Sequence, residues 1–267
     1  MRIGFLITAR LKSSRLPFKV LRHLNGKTVI EHIIDRAKYI QGIDDIVLCT
    51  SINPQDRPLV DIAQKEGVFY FNGDEKDVLK RLHDAGKFFN LDYFVGITAD
   101  NPLFSIEYSN FIVDVLKTNQ NDLVKIKGLP FGSATYGLKV STLEIICQIK
   151  EEVDTEIWGP LINRPDIFDV KEIEAEKHLN KPEWRFTLDY YEDLKFLENI
   201  FNNLEHNKSL SLSSVIEWLE NNLEILRLNE NCVQKNISPD IQHRIDEFFS
   251  KNKQKIVKAK NKINEPE

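Results

Sequence analysis

The stretch that decides the fold is RIGFLITARLKSSRLPFKVL, residues 2–21. Its first half, RIGFLITA, is a short apolar run with a glycine at position 4. Such a run suits a strand buried on both faces in a parallel sheet. It is too short for a membrane span or a signal-peptide core, and charges follow at once. Its second half is basic. From Met1 to Ile30 the chain carries Arg2, Arg10, Lys12, Arg15, Lys19, Arg22 and Lys27, and the first acid is Glu31, although the 267-residue protein has a net charge of −5. A cationic loop placed directly after a strand is a candidate anion site. Backbone N–H groups there can wrap a phosphate, with Arg gripping two oxygens and Lys supplying a point charge.

Strand and helix alternate beyond this loop. KTVIEHIIDRAKYI (27–40) has Val29, Ile30, Ile33, Ile34 and Ala37 at helical spacing. DDIVLCTS (44–51), VFYF (68–71) and DYFVGITA (92–99) read as strands, with helices over 54–67 and 75–89. Four alternations with short connections predict right-handed βαβ units: an α/β fold with a Rossmann-like parallel or mixed sheet and helices on both faces. Ligands in such sheets sit beyond the carboxyl ends of the strands. Those ends are TARLKSSR, CTSINP, FNGDEKD and TADNP. They offer Thr8, Ala9, Arg10, Ser13, Arg15, Ser51, Asp77, Thr98 and Asp100, with Lys19 just beyond the first, as candidate contacts to a phosphate-bearing ligand.

Further along, 106–118 reads as a helix, DLVKIKG (122–128) and the end of LPFGSATYGLKV (129–140) as strands, and WRFTLD (184–189) as another strand before a helix from 190. Domain boundaries are set at 1–235 for the main unit and 236–267 for a C-terminal helix and basic tail. In that helix Ile241, Ile245, Phe248 and Phe249 have core spacing.

Composition narrows the functional classes. A net charge of −5 argues against broad nucleic-acid binding. No apolar run approaches about 18 residues, so no membrane helix is expected. Cys49, Cys147 and Cys232 form neither a CxxC pair nor an even framework, which predicts free thiols and a cytoplasmic setting. The opening loop is neither a Walker A sequence nor a GxGxxG fingerprint. Asp100 directly follows a strand, and Asp189 follows the apolar RFTL. Asp100 beside a polyphosphate site is a natural Mg²⁺ anchor, because Mg²⁺ prefers one or two carboxylates plus phosphate oxygens. The competing reading makes Asp100 a cap for the helix from about 105. Glu192 and Asp193 read as caps for the helix from 190.

The motifs together resemble the CTP-dependent sugar-acid cytidylyltransferases, which include CMP-Kdo and CMP-acylneuraminate synthetases, and above all their SpsF-like branch. The resemblance rests on Ala9 to Leu21, Gly26 to His32, Asp77 to Arg81, Ile97 to Leu103 and Thr187 to Leu194, in the family's order over about 1–200. It implies a nucleotide-diphospho-sugar transferase type of fold. It also implies CTP as donor, a sugar-acid or sugar-phosphate acceptor, Mg²⁺ held by Asp100 and Asp189, and a homodimer. By matching position, Arg10, Arg15 and Lys19 would hold the triphosphate, and Arg81 would lie near nucleotide or substrate. Tyr136 falls where the family shapes its acceptor pocket.

The chain departs from that pattern in places. Lys12 and Phe18 stand where Gly is frequent, Thr98-Ala99-Asp100 replaces Q-G-D, and Tyr191 replaces a common Pro. Three rivals follow. One is a sugar-1-phosphate nucleotidyltransferase using another NTP, whose usual opening is G-x-G-T-R-x-x-P. Another is a non-catalytic binding protein on the same sheet. The third, a DxD glycosyltransferase, has little support, because DYYED contains no DxD.

Overall fold

The first strand, β1 (Ile3–Thr8), lies at the heart of a mixed sheet and is buried throughout. The structure is a computed structural model and describes residues 1–151, 155–204 and 210–264. The last three residues of the expected tail therefore lie outside the described residues.

After β1 comes a two-stranded hairpin, β2 (His23–Leu24) and β3 (Lys27–Thr28), turned by Asn25 and Gly26, both at positive φ. The chain continues through α1 (Val29–Ala37), β4 (Asp45–Ser51), α2 (Arg57–Lys65), β5 (Phe69–Gly73), α3 (Val78–Phe88), β6 (Tyr93–Thr98) and α4 (Ile106–Asn119). It then forms β7 (Leu123–Lys127), β8 (Tyr136–Lys139), α5 (Val140–Ile149), α6 (Gly159–Ile162) and β9 (Val170–Glu174). The remaining helices are α7 (Tyr191–Asn203), α8 (Leu212–Glu220), α9 (Leu223–Leu226) and α10 (Pro239–Asn264).

Among the described residues the main sheet runs β5-β4-β1-β6-β8-β7-β9. β5, β4, β1 and β6 are parallel; β8 is inserted antiparallel to both β6 and β7, and β9 pairs parallel with β7. Helices cover both faces, as the alternation of strand and helix requires.

The two-residue period of β1 divides the core. Ile3, Phe5 and Ile7 pack into one apolar cluster with residues of α1, α4, α7 and α8. Leu6 points the other way, into a cluster built from α3, α5, α6 and α10. Gly4 shares that second face, where a Cβ would come within 2.5 Å of the Leu91 side chain. The five apolar residues predicted for α1 are all buried, and Thr28 and Glu31 form a capping box at its start.

Two sequence expectations change. Residues 184–189 form no strand; Phe131 and Arg185 make a single parallel bridge. The apolar character of RFTL comes from burial of Phe186 and Leu188 in the core, not from a ladder. The edge strand β9 was not foreseen, because VKEIE has little apolar content. α10 packs on the face of α5, with Ile245, Phe249 and Ile256 buried and Ile241 and Phe248 half-buried. Lys260 pairs with buried Asp122, which tethers the helix to the chain entering β7.

Candidate active site

The carboxyl ends of β1 and β6 open into one cleft, and the segment ending at Asp189 reaches the same place. Lys19 links the two aspartates. Its ammonium lies 2.5 Å from Asp100 Oδ2 and 2.8 Å from Asp189 Oδ1. Arg15 adds a bond of 2.7 Å to the same Asp189 oxygen and stacks over the Tyr190 ring. Asp100 also accepts from the Thr98 hydroxyl at 2.5 Å. The competing role for Asp100 is filled by another residue: Ser105 caps α4, accepting from the Tyr108 N–H.

These contacts set the protonation states. Burial pushes the Asp100 carboxyl up, but the Lys19 ammonium and the Thr98 hydroxyl outweigh it and hold the group below its ordinary value. Burial likewise pushes Lys19 down, and its two aspartates more than restore it, so its pKa is raised. Asp100 and Lys19 therefore form a charged pair at neutral pH.

Asp189 is held from behind. Arg185 donates to Asp189 Oδ2 at 3.0 Å and grips Asp193 through Nε at 2.9 Å and Nη2 at 3.2 Å. Asp193 is fully buried and also accepts the N–H groups of Asp189 and Tyr190. It therefore caps α7, as the sequence suggested, and fixes the backbone that carries Asp189. Arg185 escaped the sequence reading. Its only signal was a lone cation within an apolar run, four residues before Asp189.

A second group of cations lies deeper in the cleft. Arg10 donates to the Glu75 carbonyl at 2.6 Å, and buried Arg81 donates to the Asp74 and Glu75 carbonyls at 2.9 and 3.3 Å. Burial and the neighbouring Arg10 cation both lower the Arg81 pKa. Two guanidiniums on one carbonyl repel each other and favour an anion between them. Thr8, Ala9, Thr98, Arg81 and the loop cations Arg10, Arg15 and Lys19 all line the cleft.

Other predicted residues do not reach it. Ser51 is buried and donates to Asp56 at 2.5 Å, while Asp56 accepts the Leu11 N–H at 2.7 Å. Ser51 thus steadies the opening loop indirectly. The Ser13 hydroxyl accepts from the Leu16 N–H within the loop. Asp77 caps α3 and is buried against Lys150 and Thr155. Tyr136 lies against Trp158 and Phe94, its buried hydroxyl without a partner among the described residues. It stands behind the cleft wall rather than on it, and Trp158 supplies the lining there. Of the departures from the family pattern, Lys12 is exposed and lies 3.6 Å from Glu75. Phe18 adopts a left-handed conformation, φ 55°, that glycine takes without strain.

With this geometry in view, the comparisons with known proteins are specific. The sequence model of the cytidylyltransferase family matches residues 5–231. The chain belongs to the cytidylyltransferase family. Relatives of this cytidylyltransferase chain include an uncharacterised protein of Methanocaldococcus jannaschii, 33% identical over 88% of this chain and 97% of its own. The spore coat polysaccharide biosynthesis protein SpsF of Bacillus subtilis is 26% identical over 82% of this chain and 95% of its own, in line with the SpsF-like motifs. The solved structure of a cytidylyltransferase from Leptospira borgpetersenii superimposes with a TM-score of 0.80 at 26% identity, covering 88% of this chain and all of that one. A CMP-2-keto-3-deoxy-manno-octonic acid synthetase, solved with CTP, shares the fold at a TM-score of 0.60 and 16% identity, over 76% and 99% of the two chains. No helix among the described residues of this cytidylyltransferase is long and apolar enough to cross a membrane, and its three cysteines are free.

Proposed function

We propose that this cytidylyltransferase moves CMP from CTP to a sugar acid or related acceptor, with release of pyrophosphate, in surface polysaccharide or glycoconjugate synthesis. The observation that carries the reading is the convergence of Asp100, Asp189, Lys19 and Arg15 at the ligand edge of the sheet. SpsF and an 8-amino-3,8-dideoxy-manno-octulosonate cytidylyltransferase of Shewanella amazonensis, 27% identical over 67% of this chain, support the acceptor class and the pathway.

The donor set suits Mg²⁺. Two carboxylates face one point, and Lys19 already holds a positive charge there. Asp100 and Asp189 would hold the ion. When bound, it supplies orientation and charge neutralisation at the α-phosphate.

The residues of the chain do the rest. An acceptor oxygen attacks the α-phosphorus in line, and the bond to the β-phosphate breaks. Arg10, Arg15 and Lys19 neutralise the departing pyrophosphate, so catalysis is chiefly positioning and electrostatics. No histidine is required. His32 bonds the Leu24 carbonyl, and His83 bonds Asp84. Residues 1–235 form the catalytic unit in this reading, which includes a cytoplasmic homodimer that needs neither nucleic acid nor membrane.

The test is pyrophosphate release with Mg²⁺, each of CTP, UTP, GTP and ATP, and a panel of sugar acids and sugar phosphates. Release with CTP and a sugar acid, lost in Asp100→Ala, supports the proposal. Release with another NTP and a sugar phosphate supports the alternative donor. Binding of an NTP without release from any pair points to a non-catalytic protein on this fold.

A further inference from the structure

The segment that follows α9 folds back over the site and is fastened to the element that carries Asp189. Asn229 is buried and donates to the Arg185 carbonyl and to Asp193 Oδ1, both at 3.0 Å. The Tyr190 hydroxyl donates to the Val233 carbonyl at 3.0 Å. Arg185 Nη1 donates to Gln234 Oε1 at 3.1 Å. The result is that Gln234 and Lys235 line the cleft, although they lie far along the chain from the opening loop and beyond the region matched by the family, which ends at residue 231.

The cleft's other cations are committed. Lys19 and Arg15 rest on carboxylates, Arg10 on Glu75 and Glu156, Lys12 on Glu75, and Arg81 on backbone carbonyls. Lys235 is exposed, and among the described residues its ammonium has no hydrogen-bond or ion-pair partner. Phe131 and Trp158 add aromatic surface to the same cleft. A free cation in a cleft that also has aromatic walls, and that is not among the loop cations assigned to the triphosphate, matches a small acceptor with an apolar ring face and an anionic substituent.

The geometry points to Lys235 as the residue that selects an anionic acceptor, by a charge-assisted hydrogen bond to the acceptor's carboxylate or phosphate. This inference rests on the transferase reading above. Lys235 takes no part in the chemistry at phosphorus; it sets which acceptor is held.

The experiment compares wild type, Lys235→Gln and Lys235→Arg. It uses the acceptor that supports pyrophosphate release in the panel and the same acceptor with its acid group reduced or removed. Loss of one charge-assisted bond should raise the acceptor KM about 10- to 100-fold in Lys235→Gln. The CTP KM and the kcat at saturation should stay within about twofold. Lys235→Arg should recover most of the affinity, and with the uncharged acceptor wild type and Lys235→Gln should be alike. A carboxylate acceptor and a phosphate acceptor are separated by which one shows the Lys235→Gln effect.

An unchanged acceptor KM in Lys235→Gln overturns the assignment while leaving the transferase reading intact. A raised CTP KM also overturns it, by making Lys235 a nucleotide ligand. If wild type releases pyrophosphate with no pair, the transferase reading fails and the assignment falls with it.

Discussion

Asp100 and Asp189 share one ammonium: Lys19 Nζ lies within hydrogen-bond distance of both carboxylates, although one follows β6 and the other precedes α7. Replacing Lys19 by Met leaves two close carboxylates without that compensation. The variant should lose about 1–3 kcal/mol at pH 7, measured by urea denaturation. The pH dependence has a definite sign. Asp100 is lowered in the fold, so its contribution is complete above the unfolded carboxylate value of about 4 and is lost as pH falls through the folded value. Lys19 is raised, so its contribution is complete below about 10.4 and is lost as pH rises through the folded value. The gap between wild type and Lys19→Met should therefore be flat from about pH 5 to 10 and shrink outside that window.

Arg185 presents a different case. It is buried and serves two carboxylates: Asp189, which also pairs with Lys19 and Arg15, and fully buried Asp193, whose one cationic partner among the described residues it is. Arg185→Met should cost about 3–5 kcal/mol, because a buried carboxylate is left unpaired. That corresponds to a Tm lower by on the order of 10 °C in a chain of this size. Arg185→Lys should recover less than half of the loss, since one ammonium cannot reproduce the several N–H bonds. Calorimetry of the three proteins decides the matter, and equal Tm values for wild type and Lys would contradict it.

Phe18 offers a stabilising change. Its φ of 55° is disfavoured for a residue with a Cβ, and the residue is 46% exposed, so only part of its packing is lost on removal. Phe18→Gly should gain about 1 kcal/mol and raise Tm by about 2–4 °C. A fall in Tm would mean that the exposed ring makes a contribution larger than the backbone strain.

Gly96 is the opposite. The Tyr136 ring lies directly over it, and a Cβ at this position would overlap the Tyr136 ring. Gly96→Ala should cost about 1–3 kcal/mol through overpacking. Adding Tyr136→Leu should return part of that loss, and additive effects in the double variant would rule out the contact as the cause.

Legibility in the sequence followed the strength of local pattern. The β1-to-β6 half was readable because its strands are short apolar runs and its helices repeat at 3.6 residues, each with one buried face. Lys19, Arg15, Asp100 and Asp189 were readable because they stand at strand ends or beside buried runs and match family motifs. Asp77 and Tyr136 stand in equally suggestive places, yet each is turned into the protein: Asp77 by the N-terminus of α3 and Lys150, Tyr136 by the space above Gly96. Position along the chain does not reveal that choice. Arg185, Gln234 and Lys235 were missed for a related reason. Their relation to Asp189 is made by a long-range fold-back, and nothing in VQKN signals it.

The bonds at the site join residues far apart in sequence: Lys19 meets Asp100 across 81 positions and Asp189 across 170. Contacts of such span form late and only when the intervening chain is in place. Under the proposed function, nucleotide affinity would therefore be a gauge of whole-chain integrity. In refolding, recovery of CTP binding should lag behind recovery of helical signal, and a single nick in a surface loop that lets the halves part should abolish binding while leaving most secondary structure intact.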